Sequence, residues 1–334
     1  MRTEFKLAMA VLLLASPALA GGRAGKAPRG TFFTITNLVS NQTGVANNTD
    51  PNLINPWGLS QSGASSPLWV SDNGTGLSTV YQQGTGKNQG IVVTIPNGSP
   101  TGTVYVPPGT GFQIKENGKM ADATFLFDSN SGYVTGWNQG VDATNAVVAY
   151  QSQGSDFTGL AIDPSSKLLF AADFANNGVQ VLNNTFVLQT TFTDTSLPSG
   201  YNPYNVAIIS GNVYVTFAKF GSSGGYVDVF SESGALQQQL IAKGKLDAPW
   251  GLAIAPSTFG KFASALLVGN LGNGEINAYN ITTGAYIGTL STARRQPIKI
   301  DGLWALDAAP SGDITFSAGP NGYANGLIGL ISKK

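Results

Sequence analysis

A degenerate repeat constrains this chain more than any other feature. The stretch Ala248–Leu290, APWGLAIAPSTFGKFASALLVGNLGNGEINAYNITTGAYIGTL, holds four short apolar runs parted by turn signals. Trp250–Ala255 is a compact run suited to a strand buried on both faces, and Ala265–Val268 is a second, ending at Gly269-Asn270. Gly274–Tyr279 alternates with period two, and Ala285–Leu290 follows the turn Thr282-Thr283-Gly284. Four short antiparallel strands make a sheet with two apolar faces, which cannot bury both alone. It needs neighbours of its own kind.

Those neighbours are present. The first-strand motif recurs at Trp57, Thr101, Thr158, Tyr204, Trp250 and Trp304, at intervals of 44 to 57 residues, and Pro164, Pro256 and Pro310 stand six residues after three of these. A multi-strand unit repeated at this period predicts an all-β fold, a six-bladed β-propeller of four-stranded antiparallel blades. The second register is the weakest, resting on PTGTVYV alone. The last repeat is one strand short, while TFFTITNLVSN (Thr31–Asn41) precedes the first motif. The N-terminal strand is therefore expected to complete the sixth blade and close the ring, removing exposed edges.

The first 20 residues, MRTEFKLAMAVLLLASPALA, place Arg2 and Lys6 before a short apolar run and a small-residue end. They read as a signal peptide cleaved after Ala20, too short in its apolar part to span about 30 Å of bilayer. Residues 21–30 read as a flexible linker and 31–334 as a single propeller domain. A secreted or periplasmic protein follows, a monomer with no membrane span. Lys+Arg and Asp+Glu are 18 each, which argues against nucleic acid as a partner. Gly221–Gly225 reads as a flexible hairpin tip.

Segments such as GLAID…LLFAADFANNGVQVL and PWGLAIAP…LLVGNLGNGEINAYNITTGAYIGTL…DGLWAL resemble NHL-type propeller repeats. Together with the blocks TNLVSN, NPWGL, AADF and GYVDVF, they resemble a family of secreted, functionally uncharacterised six-bladed propellers over about residues 31–331. That resemblance implies a fold and an export route and brings no activity. Where such proteins commonly carry His after AADF, this chain has Ala175.

The chain has no His and no Cys, which excludes Ser-His-Asp and Cys-His nucleophiles and His-ligated metals. Carboxylates, Lys, Tyr and water on a hard cation remain. Aligning second-strand ends gives Asp72, Asp128, Asp173, Phe217, Asn270 and Gly319. In a propeller these ends and the starts of the first strands share one face. Asn55, Asp72, Asp128, Asp173, Asn205, Lys219, Asn270 and Asp301 are thus the polar candidates for a channel mouth. Trp57, Tyr204, Trp250 and Trp304 offer an aromatic rim there or, alternatively, packing between blades. Asp128, Asp173, Asn270 and Asp301 have the oxygen chemistry of a Ca²⁺ site; the competing reading is that each acid caps its own turn. Asp228 and Glu275 are assigned to third strands, away from the mouth. Two functions follow: a binding or scaffold module taking a small molecule, glycan or protein at that mouth, or a Ca²⁺-dependent hydrolase or lactonase. The second follows gluconolactonase and paraoxonase propellers by architecture alone.

Overall fold

The computed structural model describes residues 30–334; the expected signal peptide and nearly all of the linker lie outside the described residues. Thr31–Lys334 forms a ring of six antiparallel sheets. Blades 1 to 5 have their innermost strands at Pro56–Ser60, Pro100–Tyr105, Phe157–Asp163, Asn202–Ile209 and Pro249–Ile254. Blade 6 runs Leu303–Ala308, Ile314–Ala318 and Leu327–Lys333, with Phe33–Ser40 as its fourth strand and the short segment Asn48–Thr49 paired in parallel on the outer edge. Phe33 pairs with Lys333 and Ser40 with Leu327, so the N-terminal strand closes the ring as expected. Two insertions depart from the plain repeat. Blade 2 carries a hairpin, Gln113–Glu116 with Lys119–Asp122, and blade 5 a 3-10 segment, Ser257–Phe262.

Period-two alternation makes each blade an adhesive for two neighbours. In blade 1, Leu68 and Val70 pack toward blade 6 while Trp69 packs on Phe125 and Phe127 of blade 2. In blade 3, Leu169 and Ala171 face blade 2, and Phe170 and Ala172 face blade 4. The core is accordingly divided into one apolar layer per seam, with a separate cluster on the axis.

The recurrent Gly of the first-strand motif has a steric cause. A Cβ at Gly58 would lie 2.6 Å from the Thr101 carbonyl oxygen, and one at Gly251 would lie 2.6 Å from that of Trp304. Innermost strands in a six-membered ring approach too closely there for a side chain.

The residue before that Gly is set apart too. In blades 3, 4 and 5 the pairing skips Thr158, Tyr204 and Trp250, and in blades 1 and 6 it skips Trp57-Gly58 and Trp304-Ala305. A bulge re-aims the side chain it carries. Four of these side chains meet on the axis.

Candidate functional site

Trp57, Tyr204, Trp250 and Trp304 form one cluster, with 8%, 8%, 4% and 2% of their surface exposed. Trp57 stacks on Trp304 with centroids 3.5 Å apart, and Trp250 meets both edge-on at 6.2 and 5.9 Å. They form a buried plug across the channel instead of an open rim, because the bulges of blades 1, 4, 5 and 6 each carry a bulky ring to the axis. Trp250 Nε1 donates to the Thr158 carbonyl at 2.8 Å, tying blade 5 to blade 3 across the ring.

The strand-end acids also turn inward. Asp72 accepts from Thr79 Oγ1 at 2.7 Å, and burial raises its pKa well above the carboxyl range. Asp128 accepts from Thr101 Oγ1 at 2.7 Å and from the Gly102 N–H; burial pushes it up to about 6 against those bonds. Asp173 accepts from Ser155 Oγ at 2.6 Å, Gln180 Nε2 at 2.9 Å and Asn176 Nδ2 at 2.8 Å, and from the Asn176 N–H of its own turn. Asn270 donates to the Lys245 carbonyl at 2.8 Å and to Asn273 Oδ1. Asn205 replaces the motif Gly in blade 4 and donates to the Trp250 carbonyl at 2.8 Å. Among the described residues no three acidic side chains converge as a metal-binding group.

A one-way amide relay crosses part of the rim. Trp304 Nε1 donates to Asn55 Oδ1 at 2.9 Å, Asn55 Nδ2 to Asn73 Oδ1 at 3.1 Å, Asn73 Nδ2 to Asn130 Oδ1 at 2.8 Å, and Asn130 Nδ2 to Asp156 Oδ1 at 2.7 Å. Burial raises the Asp156 pKa; the Asn130 bond opposes this and the Asp173 charge adds to it. Asn73 and Asn130 lie one and two residues past the aligned acids, a signal that the sequence alignment stopped short of.

Blades 3 to 6 carry a cavity of about 480 Å³ on this same face. Two of the polar candidates, Lys219 and Asp301, line it, and Tyr204 is its contact with the plug. Phe174, Phe220 and Tyr323 supply further aromatic walls. Phe174 meets Tyr204 at 5.3 Å and Phe220 edge-on at 5.9 Å, while Phe220 is 86% exposed at the lip. Lys219 Nζ donates to the Ser199 carbonyl at 3.1 Å, and Asp301 Oδ2 accepts the Asn321 N–H at 2.9 Å. Gly221, Ser222 and Ser223, the first three residues of the expected hairpin tip Gly221–Gly225, form one wall.

Asp247 is the charged group that sequence reasoning missed. Burial raises its pKa and the Glu275 charge adds to it. Ala248 (φ 46°) and Tyr323 (φ 70°) hold left-handed backbone at the cavity wall, a conformation that costs free energy for residues with side chains.

No family model matches the chain. A protein of Acanthamoeba polyphaga mimivirus, itself uncharacterised, is 31% identical over 330 residues, covering 91% of this chain and 81% of its own. A second uncharacterised mimivirus protein is 30% identical, covering 90% and 86%. Among solved structures, soluble aldose sugar dehydrogenase from Escherichia coli in its apo-form superposes with a TM-score of 0.58 at 12% identity, covering 90% of this chain and 100% of that one. Streptogramin B lyase gives 0.55 at 12%, covering 90% and 98%. Identity that low carries the propeller fold alone. Among the described residues no helix is long and apolar enough to cross a membrane. The chain belongs to the same protein family as the two mimivirus proteins.

Proposed function

We propose that this chain is a binding propeller whose ligand is a small hydroxylated ring of sugar size, held in the cavity over blades 3 to 6. The observation carrying this is the convergence of aromatic walls with Lys219, Asp247 and Asp301 on one concavity above a sealed channel. Aromatic faces pack against ring C–H groups, and a few fixed polar groups orient hydroxyls. Strained backbone at Ala248 and Tyr323 supports it, since such strain gathers at ligand clamps. Sugar dehydrogenases with this fold make a sugar reasonable as a first probe, but the chemistry of the cavity is the argument.

The test is a fluorescence titration of the protein with monosaccharides and aldonolactones. Saturable binding is expected, weakened at least tenfold, about 1.4 kcal/mol, in Tyr323→Ala and in Asp301→Asn. Binding unaffected by both variants, or no saturable binding across the panel, would overturn the reading.

A further inference from the structure

The ring has a second mouth, where the innermost strands end. A cavity of about 380 Å³ opens there, lined by the innermost strands of all six blades, with Trp250 on the underside of the plug as its floor. Its walls are mixed: Leu59, Leu160, Val206, Leu252 and Leu306 share them with backbone polar groups and the side chains of Ser60, Gln61, Thr103 and Asp307. The aromatic plug stands between it and the upper cavity, so the two mouths are separate chambers.

The carboxyl group of this chamber lacks a cationic partner among the described residues. Gln61 Nε2 donates to Asp307 Oδ2 at 3.0 Å and to the Ala308 carbonyl at 3.2 Å, which fixes the orientation of the amide. Gln61 Oε1 is then buried with no partner. Among the described residues no Lys or Arg lines the chamber, and Tyr105 is the only titratable side chain there besides Asp307. The strands around Asp307 bring Gln61 from blade 1, Leu252 from blade 5 and its register partner Thr315, none of them titratable.

We propose that this lower chamber is a second binding site, taking an ammonium or amidinium group on an apolar body, with Asp307 as counter-charge and Gln61 Oε1 as second acceptor. A cation with N–H donors supplies the positive charge that this chamber lacks and a hydrogen for Gln61 Oε1, and its apolar body lies along the Leu and Val side chains of the wall. Burial pushes the Asp307 carboxyl up to about 7, with the Ala308 N–H opposing. An empty chamber therefore holds it largely neutral in mild acid, and a bound cation draws it into the ionised form.

Isothermal titration of the full chain with hexylammonium, hexanol and hexanoate at pH 8.5 and 5.5 tests this. Hexylammonium is expected to bind one-to-one at pH 8.5 and roughly thirtyfold more weakly at pH 5.5, the ratio set by ionisation of a carboxyl near 7. Asp307→Asn, which keeps an acceptor for Gln61, is expected to weaken binding at least tenfold at pH 8.5 and flatten the pH dependence. Gln61→Ala, whose fold is checked by circular dichroism, is expected to weaken it less. Tyr323→Ala, in the upper cavity, is expected to leave it unchanged, so this site and the sugar site fail independently. Hexanol binding as tightly as hexylammonium, no binding at all, or loss in Tyr323→Ala with none in Asp307→Asn would each overturn the proposal.

Discussion

Asp228 should make this protein more stable in mild acid than at neutral pH. It sits in the third strand of blade 4 with no exposed surface, and neither carboxyl oxygen meets a donor. Its neighbour across the seam is Asp194, whose Oδ2 is equally buried and unpartnered. Two carboxyls form a hydrogen bond only while they share a proton. Burial, then the Asp194 charge and that shared bond, push Asp228 up to about 8. A folded-state pKa above the unfolded value near 4 means the folded protein binds the extra proton. The stability it gives is complete below pH 4 and lost as pH rises through 8. Four units at about 1.4 kcal/mol each put the swing on the order of 5 kcal/mol. Asp228→Asn replaces the shared proton with an amide donor of the same shape. It should be more stable than the parent at pH 8 by about 2–4 kcal/mol, roughly 5 °C or more in melting temperature. Asp128 and Asp307 titrate with the same sign, so the comparison is the difference between parent and variant melts at pH 5 and 8. A parent melt equally stable at both values, or an Asn variant weaker than the parent at pH 8, would refute the shared-proton account.

Two further substitutions probe the ring. Gly251→Ala drives a Cβ into the Trp304 carbonyl and should cost about 1–3 kcal/mol in urea denaturation, while Gly63→Ala, which meets nothing within 4 Å, serves as the neutral control. Asn73→Ala interrupts the amide relay, orphaning Asn55 Nδ2 and Asn130 Oδ1, and should cost about 1–3 kcal/mol by the same assay, with Asn73→Ser intermediate.

Blade number, strand order and ring closure were legible because apolar alternation and the Gly of the motif are consequences of packing between blades. The aim of individual side chains was not. Whether Trp250 faces a neighbour, solvent or the axis depends on a bulge, and a bulge adds one residue without changing residue type. The acids at 72, 128 and 173 were placed at the correct strand ends, yet each bends toward a donor in its own blade, which spacing does not record. The hairpin at 113–122 did leave a signal: Asn117-Gly118, both with positive φ, is the two-residue turn that such a dipeptide favours. Phe174, Phe220, Asp247 and Tyr323 meet at one cavity from four blades, and no single repeat reveals that meeting.

Closure by the Phe33–Ser40 strand makes the ring a clasp. The Lys334 N–H bonds the Phe32 carbonyl at 2.9 Å, so the first and last strands of the ring finish side by side. Bringing them together across some three hundred residues costs on the order of 5 kcal/mol of chain entropy, with the length term growing as the logarithm of length. The seams of blade 6 must offset that cost every time the protein folds. Blade 6 is accordingly the natural place for the ring to spring open under load, while the other blades remain folded. A short covalent link from Lys334 to Thr31, with the chain cut in any loop between blades, would move that weak point to a position of the experimenter's choosing.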